Sequence, residues 1–221
     1  MVQIKICGIR DLETAGFCIE QGVNFLGLVF YPPSKRYINP IVARDIVRTF
    51  RDQVKFVGVF LDSPQEEVNR IAEQVELDYV QLHGKESPEY CCEILRPVIK
   101  TFGVGPGFDS TKLTLYQQNV PYYLFDNIQG GSGQIFDWTR LQRITREVKL
   151  TFKKPFFLAG GLTPENVSKA IQETSPMAVD VSSGVETEGR KDPAKIKKFV
   201  ERVRGWESAV LNGRQITNPA G

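Results

Sequence analysis

Residues 156–182 read FFLAGGLTPENVSKAIQETSPMAVDVS and predict one strand–helix–strand unit. Phe156–Ala159 and Ala178–Ser182 are short apolar runs of ordinary strand length, and Pro164–Glu173 between them has the spacing of a helix. Both strands are apolar almost throughout, as expected when the two faces of a parallel sheet are buried.

The same unit recurs along the chain. Six earlier apolar runs predict strands, at Val2–Cys7, Phe25–Phe30, Phe56–Leu61, Tyr79–His83, Val98–Val104 and Tyr122–Asp126. Further helices are predicted at Asp11–Gln21, Pro40–Arg51, Pro64–Val75, Pro88–Leu95, Ser110–Gln118, Trp138–Lys149 and Asp192–Arg204. Four helix starts carry a capping residue before proline, at Ser63, Ser87, Thr163 and Asp192.

Eight strand–helix units can close in two ways, as an open doubly wound sheet or as a barrel. Eight units in roughly 205 residues fit the compact end of the size range of the α/β (β/α)8 TIM barrel. No linker rich in Pro, Gly or Ser divides the chain. We therefore predict a single barrel domain over residues 1–205, followed by a tail at 206–221 that lacks periodicity and is flexible or lies on the surface.

The composition excludes several classes of protein. The chain has 221 residues, 28 Lys+Arg and 26 Asp+Glu, a net charge of +2 and 41% hydrophobic residues, which argues against disorder and against nucleic-acid binding through bulk charge. No run approaches the roughly 20 apolar residues of a membrane span, and the first ten residues do not resemble a signal peptide. One histidine and four cysteines without a CxxC pair do not predict a metal site, and they fit a reducing, cytoplasmic compartment.

Polar residues collect where the predicted strands end. Alternation places Lys5 with Cys7 on one face of the first strand, and His83 and Asp180 on the corresponding face of the fourth and eighth. Asp126 ends the sixth strand. Barrel enzymes build their active sites at the carboxyl ends of the strands. Cys7 and Asp126 are therefore candidate catalytic residues, although Cys7 could be a small buried hydrophobe and His83 a hydrogen-bonded core residue. Lys5 could pair with Asp180 or another acid and favour a thiolate.

Four loops are candidates for binding. Gln129–Gln134 could form a mobile lid beside Asp126 or a simple flexible loop. Leu158–Leu162 and Asp180–Glu186 follow strands seven and eight, where barrels often bind phosphate. Tyr31–Tyr37 is either a solvated loop or an anion clamp in which Arg36 holds a carboxylate.

Together these motifs resemble the phosphoribosylanthranilate isomerase family of tryptophan biosynthesis. The resemblance runs from about Val2 to Arg204 and rests on Lys5–Ile9, Pro33–Arg36, Gln81–Gly84, Asp126 with Gly130–Gly133, Phe136–Trp138, Leu158–Leu162 and Asp180–Glu186, in that order.

The resemblance implies a reaction and a set of roles. The family performs an Amadori rearrangement of N-(5-phosphoribosyl)anthranilate, a small phosphosugar, without a cofactor or a metal. Asp126 would be the general acid and Cys7 the general base. The implied substrate-binding residues are Arg36, His83 and Asp180, and the implied phosphate-binding residues are Gly160, Gly161, Ser182, Ser183 and Gly184. We expect no nucleic-acid or membrane partner, and a monomer or a homodimer.

Two other functions remain open from the sequence. The histidine-pathway isomerase performs the same rearrangement with two aspartates, but Cys7 stands where the first would be. A non-catalytic barrel that binds phosphorylated ligands would keep the phosphate loops without needing Cys7 and Asp126, and a turnover assay separates it from an enzyme.

Overall fold

The computed structural model describes residues 1–105, 107–127, 142–144, 146, 154–211 and 213. Its eight parallel strands form a closed barrel in sequence order, in which the last strand pairs with the first. The strands are β1 (Gln3–Cys7), β2 (Phe25–Val29), β3 (Lys55–Phe60), β4 (Tyr79–Leu82), β5 (Val98–Val104), β6 (Tyr122–Asn127), β7 (Phe156–Leu158) and β8 (Ala178–Val181). The (β/α)8 prediction is confirmed.

Helices on the outside of the barrel connect the strands. They are α1 (Leu12–Glu20), α2 (Pro40–Phe50), α3 (Gln65–Val75), α4 (Pro88–Cys92), α5 (Lys112–Tyr116), α6 (Val167–Thr174) and α7 (Pro193–Leu211). After β8 the chain forms a 3₁₀ turn (Ser183–Val185) and a short antiparallel hairpin, β9 (Glu186–Thr187) and β10 (Arg190–Lys191). This hairpin is absent from the sequence-based prediction.

The start of α6 differs from the prediction at Thr163–Pro164. The Asn166 side chain accepts a hydrogen bond from the Thr163 N–H at 2.8 Å and donates to the Gly161 carbonyl oxygen at 2.9 Å. These bonds hold the intervening residues in a turn, so the helix begins at Val167, three residues after the proline. The turn ties the helix to the glycine-rich end of β7.

The last helix crosses the predicted boundary between residues 205 and 206. Trp206 is half-buried and packs against the core. The Glu207 carboxylate accepts a hydrogen bond from the Val2 N–H, and Arg204 donates to the Val2 carbonyl oxygen at 2.9 Å. Residues 206–211 therefore continue α7, because the Trp206 ring packs on the core and the Glu207 carboxylate bonds Val2 just before β1.

Inside the barrel, apolar and polar side chains occupy different levels. The lower level holds a cluster of large apolar side chains, in which the rings of Phe25 and Phe157 meet edge to face with centroids 5.3 Å apart. Cys7, Asp126 and Ser182 come at or just after the carboxyl ends of their strands. Since residues two apart share a face of a strand, Asp126 stands directly above Leu124 of the apolar cluster, whereas Cys7 and Ser182 stand above the buried pair Lys5 and Asp180.

Part of the predicted chain lies outside the described residues. This holds for the loop Gln129–Gln134, and for the helix Trp138–Lys149 except 142–144 and 146, which are helical. Within the described ranges, no helix is long and apolar enough to cross a bilayer.

Candidate active site

A cavity of about 200 Å³ opens at the carboxyl-terminal mouth of the barrel. The predicted site residues that line it are Cys7, Arg36, His83, Asp126, Gly160, Gly161, Asp180, Ser182 and Ser183. Gly184, the tenth predicted residue, does not line the cavity and instead supports its wall. Residues that are distant in sequence thus meet at one place, where β1, β4, β6, β7 and β8 end.

Cys7 lies beside a buried ion pair at the end of β1. The Lys5 ammonium donates to Asp180 Oδ1 at 3.0 Å and also hydrogen-bonds the Cys7 sulfur. Burial raises the pKa of the Cys7 thiol above its ordinary value, while the Lys5 cation opposes that rise and the Asp180 carboxylate adds to it. Gly27 makes room for this group, because a Cβ there would lie 2.8 Å from the Cys7 sulfur. The Lys5–Asp180 pairing expected from the sequence is present, but the effect of burial on Cys7 exceeds that of the Lys5 cation, so the pKa of the thiol is raised and not lowered.

A second ammonium group approaches Cys7 from the hairpin after β8. Lys191 Nζ donates to the Ser182 carbonyl oxygen at 3.0 Å and to a Glu186 carboxylate oxygen at 2.7 Å. The Ser182 hydroxyl in turn donates to the Cys7 carbonyl oxygen at 3.0 Å. The charge of Lys191 lowers the pKa of Cys7, although less than burial raises it. Sequence reasoning missed Lys191, and its only marker is the Glu188-Gly189 pair that turns the hairpin.

His83 links the fourth strand to the candidate acid. Its Nε2 atom lies 3.5 Å from Asp126 Oδ2, and its Nδ1 atom lies 3.3 Å from the Gln81 amide nitrogen. Burial lowers the pKa of His83, although the Asp126 carboxylate opposes that shift, so the ring is neutral at pH 7. When the Gln81 amide nitrogen donates to Nδ1, the neutral ring carries its hydrogen on Nε2, the atom that faces Asp126.

The turn that carries His83 is fixed by a buried ion pair behind the site. The Glu86 carboxylate accepts hydrogen bonds from the Gly84 N–H at 3.0 Å, the Asp62 N–H at 3.0 Å and the Lys100 ammonium at 2.9 Å. Lys100 also donates to the Gly84 carbonyl oxygen at 2.8 Å. Every charge in this group therefore has hydrogen-bond partners, and the backbone beside His83 has little freedom to move.

The two loops after β7 and β8 approach each other closely. Gly160 and Gly161 have φ values of 86° and 70°, a region that residues with a Cβ rarely adopt. A Cβ on Gly184 would lie 1.8 Å from the Leu162 carbonyl oxygen, so only glycine allows the loops to meet. The N–H groups of Gly161 and Ser183 donate no backbone hydrogen bond to another residue in the described ranges. Free N–H groups at the start of a helical turn are suited to an anion.

Arg36 differs from the free anion clamp that the sequence predicts. Its Nε and Nη2 atoms donate to the two carboxylate oxygens of Glu186, each at 2.7 Å. This bidentate bond raises the pKa of Arg36. Burial alone would raise the pKa of Glu186, but the bonds from Arg36 and Lys191 lower it to about 2. One edge of the guanidinium is therefore already occupied by the protein's own carboxylate.

The described residues do not form a metal-binding site. Among the residues whose positions are described, no cluster of three or more His, Cys, Asp or Glu could hold a metal ion. The cavity instead combines a thiol, a carboxyl group, an imidazole and cations, which are groups that transfer protons and bind anions.

Comparisons with known proteins agree on one family. The family profile described as N-(5'phosphoribosyl)anthranilate (PRA) isomerase matches residues 4–202. The N-(5'-phosphoribosyl)anthranilate isomerase of Desulforudis audaxviator is 43% identical over 208 residues, which are 92% of this chain and 98% of the relative.

Two solved structures extend the agreement to the fold. Monomers of the dimeric phosphoribosylanthranilate isomerase from Thermotoga maritima match with a TM-score of 0.82 and 41% identity, covering 93% of this chain and all of that one. A phosphoribosylanthranilate isomerase in complex with reduced 1-(o-carboxyphenylamino)-1-deoxyribulose 5-phosphate matches with a TM-score of 0.79 and 40% identity, at 93% and 100% coverage. The chain therefore belongs to the N-(5'-phosphoribosyl)anthranilate isomerase family.

Proposed function

We propose that the protein converts N-(5'-phosphoribosyl)anthranilate to 1-(2-carboxyphenylamino)-1-deoxyribulose 5-phosphate, an Amadori rearrangement in tryptophan biosynthesis. Membership of the isomerase family supports this reaction. The observation that carries the mechanism is the presence of Cys7 and Asp126 in one cavity, beside two glycine-rich loops that could hold a phosphate.

In the first step Asp126 acts as general acid. It donates its proton to the furanose ring oxygen, while the anilino nitrogen releases its lone pair to C1′ and the C1′–O bond breaks. The product of this step is an open-chain Schiff base. The Nε2–H of His83 faces Asp126 Oδ2 and can donate to the carboxylate once its proton has left. Enclosure of the site and the substrate's own anions favour a protonated Asp126 before the step.

In the second step Cys7 acts as general base. It takes the proton from C2′, and the electrons move toward the iminium nitrogen to give an enolamine. The enolamine then tautomerises to the ketose by gaining a proton at C1′ and losing the proton of the C2′ hydroxyl. Because burial raises the pKa of Cys7, the reaction depends on the nearby ammonium groups of Lys5 and Lys191 to stabilise the thiolate.

Two anionic ends of the substrate would fix its position. The phosphate would bind between Gly160–Gly161 and Ser182–Gly184. The N–H groups of Gly161 and Ser183 in these loops donate no backbone hydrogen bond within the described residues and can therefore donate to the phosphate. The anthranilate carboxylate would bind Arg36. Asp180, which lines the cavity, would also contact the substrate, while its Oδ1 atom accepts from the Lys5 ammonium.

We infer a small-molecule partner alone, with no nucleic acid and no membrane surface, and no cofactor or metal in the reaction. The four cysteines at 7, 18, 91 and 92 are all free thiols, which fits the reducing conditions of the cytoplasm. We infer a monomer or a homodimer, and sedimentation of the purified chain distinguishes the two.

A turnover assay tests the proposal. Freshly prepared N-(5'-phosphoribosyl)anthranilate is mixed with the protein, and the decay of anthranilate-type fluorescence is followed. We expect Cys7→Ser and Asp126→Asn each to lower kcat by about 10²–10⁴-fold with little change in KM, because proton transfer acts in the transition state. Gly161→Val should instead raise KM. Absence of turnover by the wild-type protein, or near-normal kcat in folded Cys7→Ser, would contradict the proposal.

A further inference from the structure

Glu186 contacts two cations of the site but does not itself line the cavity. It lies in β9, 150 residues from Arg36, and its carboxylate bonds Arg36 through both oxygens. The same carboxylate accepts from Lys191. Arg36 lines the cavity, whereas Glu186 lies behind it. Glu186 is therefore placed to act on bound substrate through Arg36.

The Arg36 side chain is held along its whole length. A Cβ on Gly8 would lie 2.6 Å from Arg36 Cδ, so the aliphatic part of Arg36 packs directly on the backbone beside Cys7. The loop that carries Arg36 is fixed by Arg10, which donates to the Lys35 carbonyl oxygen at 2.9 Å. Only the rotation of the guanidinium remains to be set, and the bond to Glu186 sets it.

A guanidinium has two edges that can each bind a carboxylate through a pair of N–H groups. Glu186 occupies the Nε–Nη2 edge. The Nη1–Nη2 edge is left for a ligand in the cavity. We propose that Glu186 is a positioning residue that turns this second edge of Arg36 toward the cavity, so that it binds the substrate's ring carboxylate with two parallel hydrogen bonds. This inference rests on the proposed function, in which Arg36 binds that carboxylate.

Charge and orientation predict opposite effects of Glu186→Gln on the binding of an anionic ligand. Arg36, Lys191 and Glu186 together carry a net charge of +1, so Glu186→Gln would raise the local charge to +2. If charge alone governed binding, this change would strengthen the binding of an anionic ligand. If Glu186 acts by orienting Arg36, the same change weakens binding, because the guanidinium loses its fixed direction.

The test is a fluorescence titration with two stable ligands. One is reduced 1-(o-carboxyphenylamino)-1-deoxyribulose 5-phosphate, and the other is the same molecule without the ring carboxylate. We expect Glu186→Gln to weaken binding of the first ligand by about 10- to 100-fold, the range expected for loss of charge-assisted hydrogen bonds. Its affinity for the second ligand should stay within about twofold, because the phosphate contacts remain. Glu173→Gln, which changes a surface pair with Lys169 on α6, is the matched control.

A double-mutant cycle with Arg36→Met completes the test. If Glu186 acts through Arg36, adding Glu186→Gln to Arg36→Met causes no further loss for the first ligand. Fully additive losses, or unchanged or tighter binding in Glu186→Gln, would overturn the positioning role while leaving the proposed function in place. Unchanged binding of the first ligand in Arg36→Met would instead refute the role of Arg36 in the proposed function.

A second variant keeps the inference testable if Glu186→Gln fails to fold. Arg36→Lys retains the positive charge and the pair with Glu186 but has no second edge. We expect it to lose affinity for the carboxylated ligand as Arg36→Met does, and to keep its affinity for the other ligand. Wild-type affinity for both ligands in Arg36→Lys would overturn the inference.

Discussion

Lys5 Nζ lies 3.0 Å from Asp180 Oδ1, and the two residues are also register partners where β1 pairs with β8. The ammonium is fully buried, and it hydrogen-bonds both the Asp180 carboxylate and the Cys7 sulfur. The cation that would stabilise a thiolate is thus already shared with another anion. For this reason burial dominates the environment of Cys7 and its pKa is raised.

Cys7 should therefore become reactive only in alkaline solution. A raised pKa means that the thiolate fraction grows with pH above the ordinary range of a cysteine. We expect the rate of Cys7 alkylation by iodoacetamide and the value of kcat/KM to keep rising together as the pH increases beyond about 8.5, the ordinary pKa of a cysteine. Trypsin cuts after Lys5 and Arg10, so mass spectrometry of residues 6–10 reports Cys7 alone, with exposed Cys92 as an internal reference. Rapid alkylation at pH 7 would contradict this prediction.

Replacement of Gly184 should separate the loops that follow β7 and β8. A Cβ at this position would lie 1.8 Å from the Leu162 carbonyl oxygen, a backbone atom that cannot rotate away. We expect Gly184→Ala to raise KM at least about tenfold and to weaken inhibition by inorganic phosphate, measured by steady-state kinetics. Gly205→Ala, at a helical position where an added Cβ would meet nothing within 4 Å, should leave KM unchanged and stabilise the fold by about 0.5–1 kcal/mol. Equal KM values in the two variants would refute the role of Gly184.

Glu186 should make stability depend on acid pH. Its folded-state pKa is about 2, below the ordinary 4.5. The stabilisation from its charged form is therefore complete above about pH 4.5 and is lost as the pH falls toward about 2. We expect urea denaturation to give Glu186→Gln a lower free energy of unfolding than the wild type at pH 6. That difference should shrink as the pH falls through the acid range, and a constant difference at all pH values would contradict the prediction.

Trp206 should contribute to stability although it lies beyond the boundary predicted from the sequence. Its ring is half-buried against the core, on the helix that also holds the backbone of Val2. We expect Trp206→Ala to cost about 2 kcal/mol, and hence to lower Tm by about 4–8 °C in a domain of this size. Val210→Ala, at an exposed position of the same helix, should change Tm by less than about 2 °C. Calorimetry measures the Tm of the two variants. Equal decreases in Tm would mean that residues 206–211 contribute no more to stability than a surface tail.

The residues that sequence reasoning found are those that obey a periodic rule. Cys7, Asp126 and Asp180 belong to short apolar strands, and the two-residue alternation of a strand decides which way each side chain points. Once eight such strands are recognised, the barrel brings their carboxyl ends together. The strand residues of the cavity follow from that geometry, whereas Arg36, Gly160, Gly161 and Ser183 lie outside the barrel strands and are inferred from loop position and the family resemblance.

The residues that it missed depend on loop conformation. The Arg36–Glu186 bond joins the loop after β2 to the two-residue strand β9, 150 residues away, and neither segment has a repeating pattern that would orient its side chains. Lys191 reaches the site only because a two-stranded hairpin folds back after β8. The end of α7 is a different case, since Phe199, Val203 and Trp206 have helical spacing that would have extended the helix past residue 205.

The closure of β8 onto β1 has a consequence for how the protein is made. A ribosome adds about 5–20 residues each second, so Lys5 is synthesised roughly 10–35 seconds before Asp180, 175 positions later. During that interval the open edge of β1 has no neighbour, and the ammonium of Lys5 has no carboxylate from β8. The reactive end of the barrel is thus assembled only after β8 has been synthesised, by the same event that removes the sheet's final exposed edge. A chain released before residue 180 would lack the closed barrel, and it would also lack the Asp180 carboxylate that pairs with Lys5 beside Cys7.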